Sequence, residues 1–534
     1  MSKHEFFFKI ATSQDEFEQI HHLNYQTFSE EIPQHQKNEE QMLVDQFHAE
    51  NTYIICIKEN EVIGMAAIRD KRPFSLDKKI GPVEQSLPFT VHSPCEVRLL
   101  SVKKEYRNGR VFLGLAQFLI KYCLKKGYDI AFISGTVRQL KLYGQLGFQP
   151  FANLTGTAEA LFQPMYLTKK TFAESIAGRI LPPTIPFLPG PVQISEKVMN
   201  AFSKTPMSHR SDHYKEKLEK AKSLLGQLVN CKYVHLFLGS GTLANDVVAG
   251  QLSLEYGRGL ILANGEFGNR LVEQANRFGL PFDVLQKDWG QAFTHDEIIS
   301  KISIDTRWIW AVHSETSSGM LNDLDLLKDI SKQYQLKLCL DCISSLGAIE
   351  IDLDGVFLAT GVSGKAIRAL TGLSFVFHHH EVQPSLTLPK YLDLGTYMRK
   401  KSIPFSQSSN LLEALLSALE DINMGTFEKV VKTHSFLKDQ FKQFGFTIVS
   451  EEHSSPIILT IEVPNSVSSA VVGDILFNHG YQLHYESDYL QQRNWLQIAC
   501  IDNYETKDLE KMANLLNRVI TYETKPLKQT TYET

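Results

Sequence analysis

The strongest constraint on the fold is a repeated pattern in the second half of the chain, where short apolar runs end in small or polar residues. Runs of this length fit buried strands of an α/β sheet. Open α/β sheets bind ligands at the carboxyl ends of their strands. The pattern therefore predicts an α/β fold with a binding site built from the turns after these strands. The runs occupy residues 236–238, 261–263, 308–312 and 338–340.

Lys365 and Asp341 carry the chemistry that such a site would use. Lys365 follows Ser363 and Gly364 just past an apolar run, and Asp341 closes a strand-like segment upstream. An aldehyde cofactor needs a lysine amine for covalent attachment and a buried carboxylate that keeps its ring nitrogen protonated. The pair indicates pyridoxal phosphate chemistry. A single lysine after a Ser-Gly turn would more often lie at the protein surface. The neighbouring motifs therefore decide whether Lys365 is read as a cofactor lysine.

Three further motifs indicate a flat, phosphorylated ligand. Residues 239–242 read as the turn from a strand into a helix, where backbone N–H groups and the hydroxyls of Ser240 and Thr242 can cradle a phosphate. Phe267 follows the next strand and can stack on a heterocycle, although a place in the core is an equal alternative. Residues 313–319 put several hydrogen-bonding side chains after a third strand.

Together these motifs resemble a class V aminotransferase of pyridoxal phosphate fold type I over residues 186–520. The likeness is greatest to small aminotransferases that handle alanine, serine, glyoxylate or 2-aminoethylphosphonate. It implies a mainly parallel seven-stranded sheet, a small C-terminal α/β subdomain, pyridoxal 5′-phosphate as cofactor and a homodimer. The segments that carry it are 188–191, 207–211, 239–242, 264–268, 313–319, 341–347 and 363–365.

The resemblance also implies roles for single residues. Lys365 would hold the cofactor aldehyde and, once released, move a proton between substrate and cofactor, while Asp341 would bind the ring nitrogen. Phe267 would stack on the ring and Thr316 would contact its substituents. The other residues implied to bind the cofactor are Ser240, Gly241, Thr242 and Ser363.

One position departs from the family pattern. Members that bind amino and oxo acids carry an arginine in a late strand, where its planar fork grips the substrate carboxylate. Gln497 occupies that position and would contact the substrate. Either another cation takes over, with Arg493, Arg368 and Arg399 as candidates, or the substrate is not an ordinary α-amino acid. The departure also leaves a lyase or decarboxylase reaction open.

Cys339 and Cys342 flank Asp341 in a Cys-x-x-Cys pattern. A redox or metal pair is one interpretation, but the spacing falls on a buried strand and its turn, without a second pair to complete a zinc site. We expect buried structural thiols and no bound metal. Gly364 before Lys365 argues against a cysteine desulfurase, in which a histidine typically precedes the cofactor lysine.

Residues 1–170 form a separate unit of alternating strand-like and helical segments, which predicts a three-layer α/β domain. Its helical spacing covers residues 15–48, with an interruption at Pro33, and residues 111–126. The proline-rich segment 181–186 predicts a linker at 171–187 before a second domain at 188–520, and the polar residues 521–534 predict a flexible tail. The strand-like segments are 6–10, 52–57, 62–69, 95–102, 129–134 and 162–167.

The first unit resembles the GNAT N-acyltransferase superfamily. Three features carry the resemblance: a strand that ends at Val102, a basic turn into a helix, and the later Tyr143. This resemblance implies that the turn binds the pyrophosphate of coenzyme A and that Tyr143 protonates the leaving thiolate. Packing of Tyr143 beside Phe148 is the alternative. The turn lacks the usual glycines, and in this it is closer to the acyl-homoserine-lactone synthase branch. That likeness implies acyl-CoA or an acyl carrier protein as the donor. The residues implied to bind the donor are Val102, Arg107, Gly109 and Arg110.

Glu96 and Arg98 alternate along the same strand. Glu96 would orient the acceptor amine or take its proton through water, and Arg98 would bind the substrate. A solvated ion pair on the strand face is the alternative.

Composition limits the remaining classes. A chain of 534 residues exceeds one core and predicts two or three domains, and 43% hydrophobic with 22% charged residues is typical of a globular protein. A net charge of −5 gives no electrostatic basis for nucleic-acid binding. We expect a cytoplasmic protein without a membrane span, since seven scattered cysteines fit a reducing compartment.

Two motif sets in one polypeptide lead to a bifunctional hypothesis. The C-terminal domain would exchange an amino group between a small amino donor and an oxo acceptor, and the N-terminal domain would acylate an amine. The alternative keeps the aminotransferase or lyase and makes the N-terminal domain a sensor that binds an acyl donor or amine without turnover.

Overall fold

The computed structural model describes residues 6–32, 34–107, 109–157, 160–181 and 183–524. Two compact units share the chain. One holds the residues up to Ile185 together with Asp474–Tyr481, and the other holds Pro186–Gly473 and Gln482–Thr524. Pro33, where the sequence predicts a break in a helix, lies outside the described residues.

Within the described part of the first unit, eight strands form one sheet. Its strands are β1 (Phe7–Ile10), β2 (Thr52–Lys58), β3 (Glu61–Arg69), β4 (Pro94–Val102), β5 (Ile130–Thr136), β6 (Gln149–Pro150), β7 (Thr155–Thr157) and β8 (Ala160–Thr168). Its helices are α1 (Gln14–Tyr25), α2 (Asp77–Ile80), α3 (Arg110–Lys126), α4 (Leu140–Gln145), α5 (Lys169–Glu174) and α6 (Ile176–Ile180). Short 3₁₀ or π segments are Gln26–Glu31, His48–Glu50, Val83–Ser86, Lys104–Tyr106 and Val137–Gln139.

The sheet runs in the order β1-β2-β3-β4-β5-β8-β6, with β7 also paired to β8. Neighbours are antiparallel except β4 and β5, which are parallel and pair only from Pro94 to Glu96. Further along β4, Leu99 has a φ of 54° and the pairing with β3 shifts its register. A bulge bends a strand, so β4 separates from β5 after Glu96 and leaves a gap between the two strands.

Helix α3 covers one face of this sheet. It buries Val111, Leu115 and Phe118 against the strands. A Cβ on Gly64 of β3 would lie 2.8 Å from Val111 Cγ1, so the glycine permits this close approach. The helix begins after Gly109, whose φ of 87° is readily adopted only by glycine.

The chain from Ile185 onward contains the remaining strands and helices. Its strands are β9 (Ile185–Phe187), β10 (Tyr233–Leu238), β11 (Arg258–Ala263), β12 (Phe282–Gln286), β13 (Thr306–Val312), β14 (Ser314–Glu315), β15 (Met320–Leu321), β16 (Lys337–Asp341), β17 (Leu358–Val362), β18 (Leu373–His378), β19 (Ile458–Glu462), β20 (Tyr481–Leu483) and β21 (Trp495–Ala499). Its helices are α7 (Glu196–Phe202), α8 (Asp212–Leu228), α9 (Gly241–Leu252), α10 (Glu266–Arg277), α11 (His295–Lys301), α12 (Leu324–Gln333), α13 (Leu394–Arg399), α14 (Ser409–Leu419), α15 (Met424–Gln443), α16 (Ser469–Asn478), α17 (Asp488–Arg493) and α18 (Thr506–Glu523), with a 3₁₀ turn at Glu451–His453.

Seven of these strands, in the order β10-β18-β17-β16-β13-β11-β12, form the central sheet of the described residues. All run in one direction except β18, which is antiparallel to both neighbours. Alternate residues enter cores on opposite faces, as Ile309 and Trp310 do. Both faces are therefore covered, which explains the continuous apolar runs in the sequence. The predicted mainly parallel seven-stranded sheet is confirmed, and β19 and β21 with α15 and α18 form the small C-terminal subdomain.

Regular elements lie in two segments that the sequence assigned to a linker and a tail. The segment 171–187, predicted as a linker, contains most of α5, all of α6 and β9. The hydroxyls of Thr168 and Ser175 cap the two helices, and Pro183 lies in the break between α6 and β9. The predicted tail, 521–534, begins within α18, which continues to Glu523 and buries Ile520. Residues 525–534 lie outside the described residues.

Across the described ranges, no helix combines the length and apolar character that crossing a membrane requires. The same residues contain no group of three or more histidine, cysteine or acidic side chains arranged to hold a metal ion. Cys339 and Cys342 are buried free thiols, and burial raises the pKa of both.

Candidate functional site

Lys365 lies in a loop that the neighbouring Ser363 holds closed. The buried Ser363 hydroxyl donates to the carbonyl oxygens of Leu370 at 2.7 Å and Leu373 at 3.2 Å. This hydroxyl, predicted to bind cofactor, is thus engaged in shaping the loop. Burial lowers the pKa of Lys365, and the charge of Asp341 only partly offsets the effect. The unprotonated, nucleophilic amine is therefore more populated than in an exposed lysine.

Asp341 ends β16 in a buried polar pocket. Asn245 Nδ2 donates to Asp341 Oδ2 at 2.8 Å, and the N–H of Ile343 donates to Oδ1 at 2.9 Å. The Thr360 hydroxyl donates to Asn245 Oδ1 at 2.9 Å, which fixes the orientation of the amide. Burial raises the pKa of Asp341 and these bonds oppose the rise. A buried carboxylate needs a cationic partner, so this pocket fits the protonated ring nitrogen of pyridoxal phosphate.

The amino end of α9 offers a place for the phosphate. Gly241 is the first residue of this helix, and the side chains of Ser240 and Thr242 beside it are exposed to solvent. A Cβ on Gly241 would lie 2.4 Å from Ile343 Cδ1, so a larger residue does not fit. A helix amino end presents N–H groups and partial positive charge to an anion. The residue set therefore fits a phosphate group.

Phe267 lies in the first turn of α10, which Glu315 caps. The buried Glu315 carboxylate accepts hydrogen bonds from the N–H groups of Gly268 at 2.9 Å and Phe267 at 3.3 Å, and from the Ser317 hydroxyl. Burial raises the pKa of Glu315, and these bonds oppose the rise. Sequence reasoning did not single out Glu315. Its only signal was a charged residue at the end of an apolar strand.

Gln497 is completely buried in β21, and its amide is bonded to protein groups. Its Nε2 donates to the carbonyl oxygens of Thr316 at 2.7 Å and Ser317 at 3.1 Å, and to Thr460 Oγ1 at 2.8 Å. Its Oε1 lies 2.9 Å from His484 Nδ1. These bonds engage the side-chain amide of Gln497, which was predicted to contact substrate. Thr316, predicted at the cofactor, is buried and meets Gln497 through its backbone carbonyl.

The arginines considered as replacement cations are engaged with other groups. Arg493 Cζ lies 3.6 Å from the ring centroid of Trp289. Arg368 Nη1 lies 3.3 Å from Asp502 Oδ1. Arg399 is exposed at the end of α13. The structure therefore leaves the position of Gln497 without a compensating charge from Arg493 or Arg368.

In the first unit, the Glu96 side chain is buried and that of Arg98 is 11% exposed, with Arg98 Nε 3.5 Å from Glu96 Oε2, so the two do not form a solvated pair on the strand face. The Glu96 carboxylate accepts from the Ser75 hydroxyl at 2.5 Å, from the Ser75 N–H at 2.8 Å and from the Leu76 N–H at 3.0 Å. Arg98 donates to both carboxylate oxygens of Asp45, at 2.8 and 3.0 Å. A bidentate pair of this kind holds both side chains in one geometry.

The predicted donor-binding turn joins β4 to α3. Arg107 Nε donates to the carbonyl oxygen of Val102 at 2.8 Å, and its Nη2 lies 2.8 Å from Glu31 Oε2. Gly109 precedes Arg110, the first residue of α3. The turn thus leads directly to the amino end of a 17-residue helix, where an anionic group is stabilised.

Tyr143 lies on α4 against β5. Its ring packs on Gly135, where a Cβ would approach to 2.9 Å, and meets the Phe148 ring edge-on at a centroid distance of 6.3 Å. The packing alternative from the sequence is therefore realised. Burial raises the pKa of Tyr143, although hydrogen bonding to Thr136 opposes the rise. The phenol stays protonated at neutral pH and remains a proton donor.

Two cavities of the first unit meet at Tyr143. A cleft of about 720 Å³ contains the predicted donor-binding residues Val102, Arg107 and Gly109. An adjoining cavity of about 190 Å³ lies in the gap between β4 and β5, and it also contains Glu96. Tyr143 lines both spaces, as do Phe28, Leu100, Phe112, Thr136 and Phe162. The remaining apolar residues of the smaller cavity are Ala66, Val97, Leu99, Leu115, Ala116, Leu119, Ile120, Ile133, Leu146, Phe148 and Leu167.

Two family models match the chain. Residues 193–414 match the model for aminotransferase class-V, and this range contains Lys365 and Asp341. Residues 23–117 match the model for an acetyltransferase (GNAT) domain, and this range contains Glu96 and the start of α3 but ends before Tyr143.

Several known proteins are similar to this chain over about half of its length. The soluble hydrogenase 42 kDa subunit of Anabaena cylindrica is 31% identical over 306 residues, which cover 52% of this chain and 78% of that protein. The 2-aminoethylphosphonate–pyruvate transaminase of Paraburkholderia phymatum is 28% identical over 302 residues, which cover 53% and 81%. The solved aspartate aminotransferase of Thermus thermophilus superposes with a TM-score of 0.57 at 23% identity, covering 63% of this chain and 99% of that one. This last likeness shows the fold.

Proposed function

This chain belongs to the class-V aminotransferase family and carries a GNAT acetyltransferase domain, and from this premise we propose a bifunctional enzyme. Its C-terminal domain exchanges the amino group of a small compound. Its N-terminal domain transfers an acyl group from coenzyme A or an acyl carrier protein to an amine. The observation that carries the proposal is the position of Tyr143, which lines both the donor cleft and an apolar cavity.

In the C-terminal domain, pyridoxal phosphate supplies an electron sink that makes the substrate carbon beside the amino group acidic. Lys365 would hold its aldehyde, Asp341 its ring nitrogen, and the amino end of α9 its phosphate. Lys365 Nζ takes the proton from the substrate carbon that bears the amino group, and its lowered pKa keeps this nitrogen available as a base. Phe267 would cover the ring, and Glu315 holds the backbone of Phe267 by capping α10.

In the N-terminal domain, the amine attacks the thioester carbonyl carbon, the C–N bond forms and the C–S bond breaks. Tyr143 gives its proton to the departing sulfur as the C–S bond breaks, so that coenzyme A leaves as a thiol, and burial keeps the phenol protonated for this step. Glu96 acts through Ser75, whose hydroxyl is 2.5 Å from the carboxylate and also lines the cavity. Ser75 accepts the proton of the incoming amine and passes its own to Glu96.

The acyl chain of the donor occupies the cavity beside Tyr143. An apolar cavity of about 150 Å³ holds a benzene molecule, so the 190 Å³ found here has room for a chain of roughly six carbon atoms. An acetyl group would leave most of this space empty. The donor is therefore an acyl thioester of medium chain length.

A coupled reaction tests the proposal. Holoenzyme is incubated with an amino donor, an oxo acceptor and a panel of acyl-CoA thioesters, and mass spectrometry searches for an amide. Lys365→Ala should stop amide formation from the oxo compound but not from the corresponding amine, whereas Tyr143→Phe should slow both. Absence of any amide across the panel would refute the coupled function. Binding of acyl-CoA in calorimetry without turnover would instead favour the sensor alternative.

A further inference from the structure

The buried amide of Gln497 has only one possible orientation. Backbone carbonyl oxygens accept and never donate, so the contacts to Thr316 and Ser317 require Nε2 on that side. The third contact, to Thr460 Oγ1, lies on the same nitrogen. Oε1 must therefore face His484 Nδ1 at 2.9 Å, and this oxygen can only accept.

The orientation of Gln497 fixes the tautomer of His484. Its Nδ1 must carry a hydrogen to donate to Gln497, and its Nε2 accepts from the Ser487 hydroxyl at 2.8 Å. Burial lowers the pKa of His484, the Gln497 bond opposes this, and the charge of Lys365 lowers it further. His484 is thus a neutral imidazole with both ring nitrogens engaged.

This neutral pair lies beside the lysine loop. Ala366, the residue after Lys365, belongs to the same buried cluster as Ala499 at the end of β21. The backbone of His484 pairs with that of Gln497 in β21 by two hydrogen bonds of 3.0 and 2.9 Å. The His484 ring also meets the Tyr489 ring edge-on at 6.2 Å. The wall of the site on this side is therefore neutral and aromatic.

Two cations lie close to this wall and are engaged with other groups: Arg493, which donates to the Tyr489 carbonyl oxygen at 3.2 Å and stacks on Trp289, and Arg270. Arg270 acts electrostatically on both Lys365 and Tyr489. Its Nε lies 3.0 Å from Glu266 Oε1 on the same helix, and its guanidinium lies 5.1 Å from the Phe267 ring. An incoming carboxylate would have to compete with Glu266 for this arginine.

We propose that the wall formed by His484, Gln497 and Tyr489 selects amino substrates that bear no carboxylate on the carbon that carries the amino group. This inference rests on the proposed transamination and specifies its substrate class. A carboxylate that moves from water to this wall loses its hydration and gains no cationic partner in return, because the polar groups of the wall are neutral and already hydrogen-bonded. A neutral group at the same place loses little. The substrates are then simple amines and their aldehydes or ketones.

Matched donor pairs test the inference on the unmodified holoenzyme. Each pair differs only by the carboxylate, as in ethanolamine and L-serine, 2-phenylethylamine and L-phenylalanine, or cadaverine and L-lysine. The rate at which the bound cofactor changes its absorbance is measured in the absence of an acceptor. We expect the amine of a reactive pair to react at least about tenfold faster than the amino acid, which corresponds to about 1.4 kcal/mol. An amino acid that reacts as fast as its amine would overturn the inference and leave transamination intact. If neither member of any pair reacts, the transamination proposal falls and this inference falls with it.

A binding measurement gives a readout independent of turnover. Propanoate, a carboxylate without an amino group, is titrated into the holoenzyme in a calorimeter. We expect no binding to the wild type at millimolar concentration and measurable binding to Gln497→Arg, which introduces the guanidinium fork. Gln497→Met, which loses the buried bonds without adding a charge, controls for disruption of these contacts. Measurable propanoate binding to the wild type would contradict the neutral wall, whether or not the variants fold well.

Discussion

Filling the small cavity of the N-terminal domain should change its preference for acyl chain length. Ala116 lies on α3 and lines this cavity with its methyl group. Phenylalanine at this position would place a ring in the space proposed for the acyl chain. Leu113→Phe is the matched control, because Leu113 is on the same helix but 40% exposed and outside the cavity lining.

The size of the effect follows from the buried area of the chain. Each buried methylene contributes about 0.8 kcal/mol, so a hexanoyl chain, with four carbons more than acetyl, gains about 3 kcal/mol in the wild type. This corresponds to a preference of about two hundredfold in kcat/KM. The gain should level off beyond roughly six to eight carbons, where the 190 Å³ cavity is full.

The assay compares kcat/KM for acetyl-, butanoyl-, hexanoyl- and octanoyl-CoA with a thiol-release readout. We expect Ala116→Phe to reduce the hexanoyl-to-acetyl ratio to within about fivefold of unity, since the ring removes most of the methylene sites. Leu113→Phe should retain the wild-type ratio. The reasoning is wrong if the wild type uses acetyl-CoA as well as hexanoyl-CoA, or if Ala116→Phe lowers all four values by one common factor.

Two shorter predictions concern single side chains. Tyr143→Phe should lower kcat for acyl transfer by about a hundredfold or more, which is the range of general acid catalysis. KM for the donor should stay unchanged. If the tyrosine is purely structural, the variant will instead lose stability with little effect on kcat. Glu315→Gln should destabilise the C-terminal domain by about 1–2 kcal/mol through loss of the helix cap. Urea denaturation measures the effect, with Glu273→Gln at an exposed position on α10 as the control. Equal stabilities of the two variants would contradict the capping role of Glu315.

Much of the architecture was predictable because the strands are continuous apolar runs. Residues 62–69 and 95–102 were expected as strands, and the structure places β3 and β4 there with one extra residue at the start of each. A continuous apolar run has no alternation, so its short length and the turn residues that flank it identify it as a strand. The helices at 169–180 escaped prediction because their stability depends on the capping hydroxyls of Thr168 and Ser175 and not on a strong apolar face.

The site was predictable where a residue type follows a strand, and unpredictable where two distant segments meet. Lys365 and Asp341 were identified because Asp341 ends one strand of the central sheet and Lys365 closely follows the neighbouring strand. The pairing of Gln497 with the carbonyl oxygen of Thr316 joins residues 181 positions apart, and no local pattern encodes such a contact. For the same reason the sequence could name Gln497 as a departure from the family pattern but not assign His484 as its partner.

The electrostatic environment of Lys365 leads to two pH shifts of opposite sign. Burial lowers the pKa of Lys365, the carboxylate of Asp341 raises it, and the guanidinium of Arg270 lowers it. Covalent capture of pyridoxal phosphate requires the unprotonated amine, so the capture rate of cofactor-free protein should rise with pH through this lowered pKa and then level off. Asp341→Asn removes the charge that stabilises the ammonium form, so the midpoint should fall.

Arg270→Gln removes a charge that destabilises the ammonium form of Lys365. The pH midpoint of cofactor capture by this variant should therefore rise above that of the wild type. The rate of colour development in excess pyridoxal phosphate, measured from pH 6 to pH 10, gives all three midpoints. Titration of the free aldehyde reagent affects every protein equally and cancels in the comparison. Two midpoints that move in the same direction would mean that loosened packing, and not charge, controls Lys365. Opposite shifts require that both side chains act on one amine through space, since Asp341 ends a strand and Arg270 lies on a separate helix.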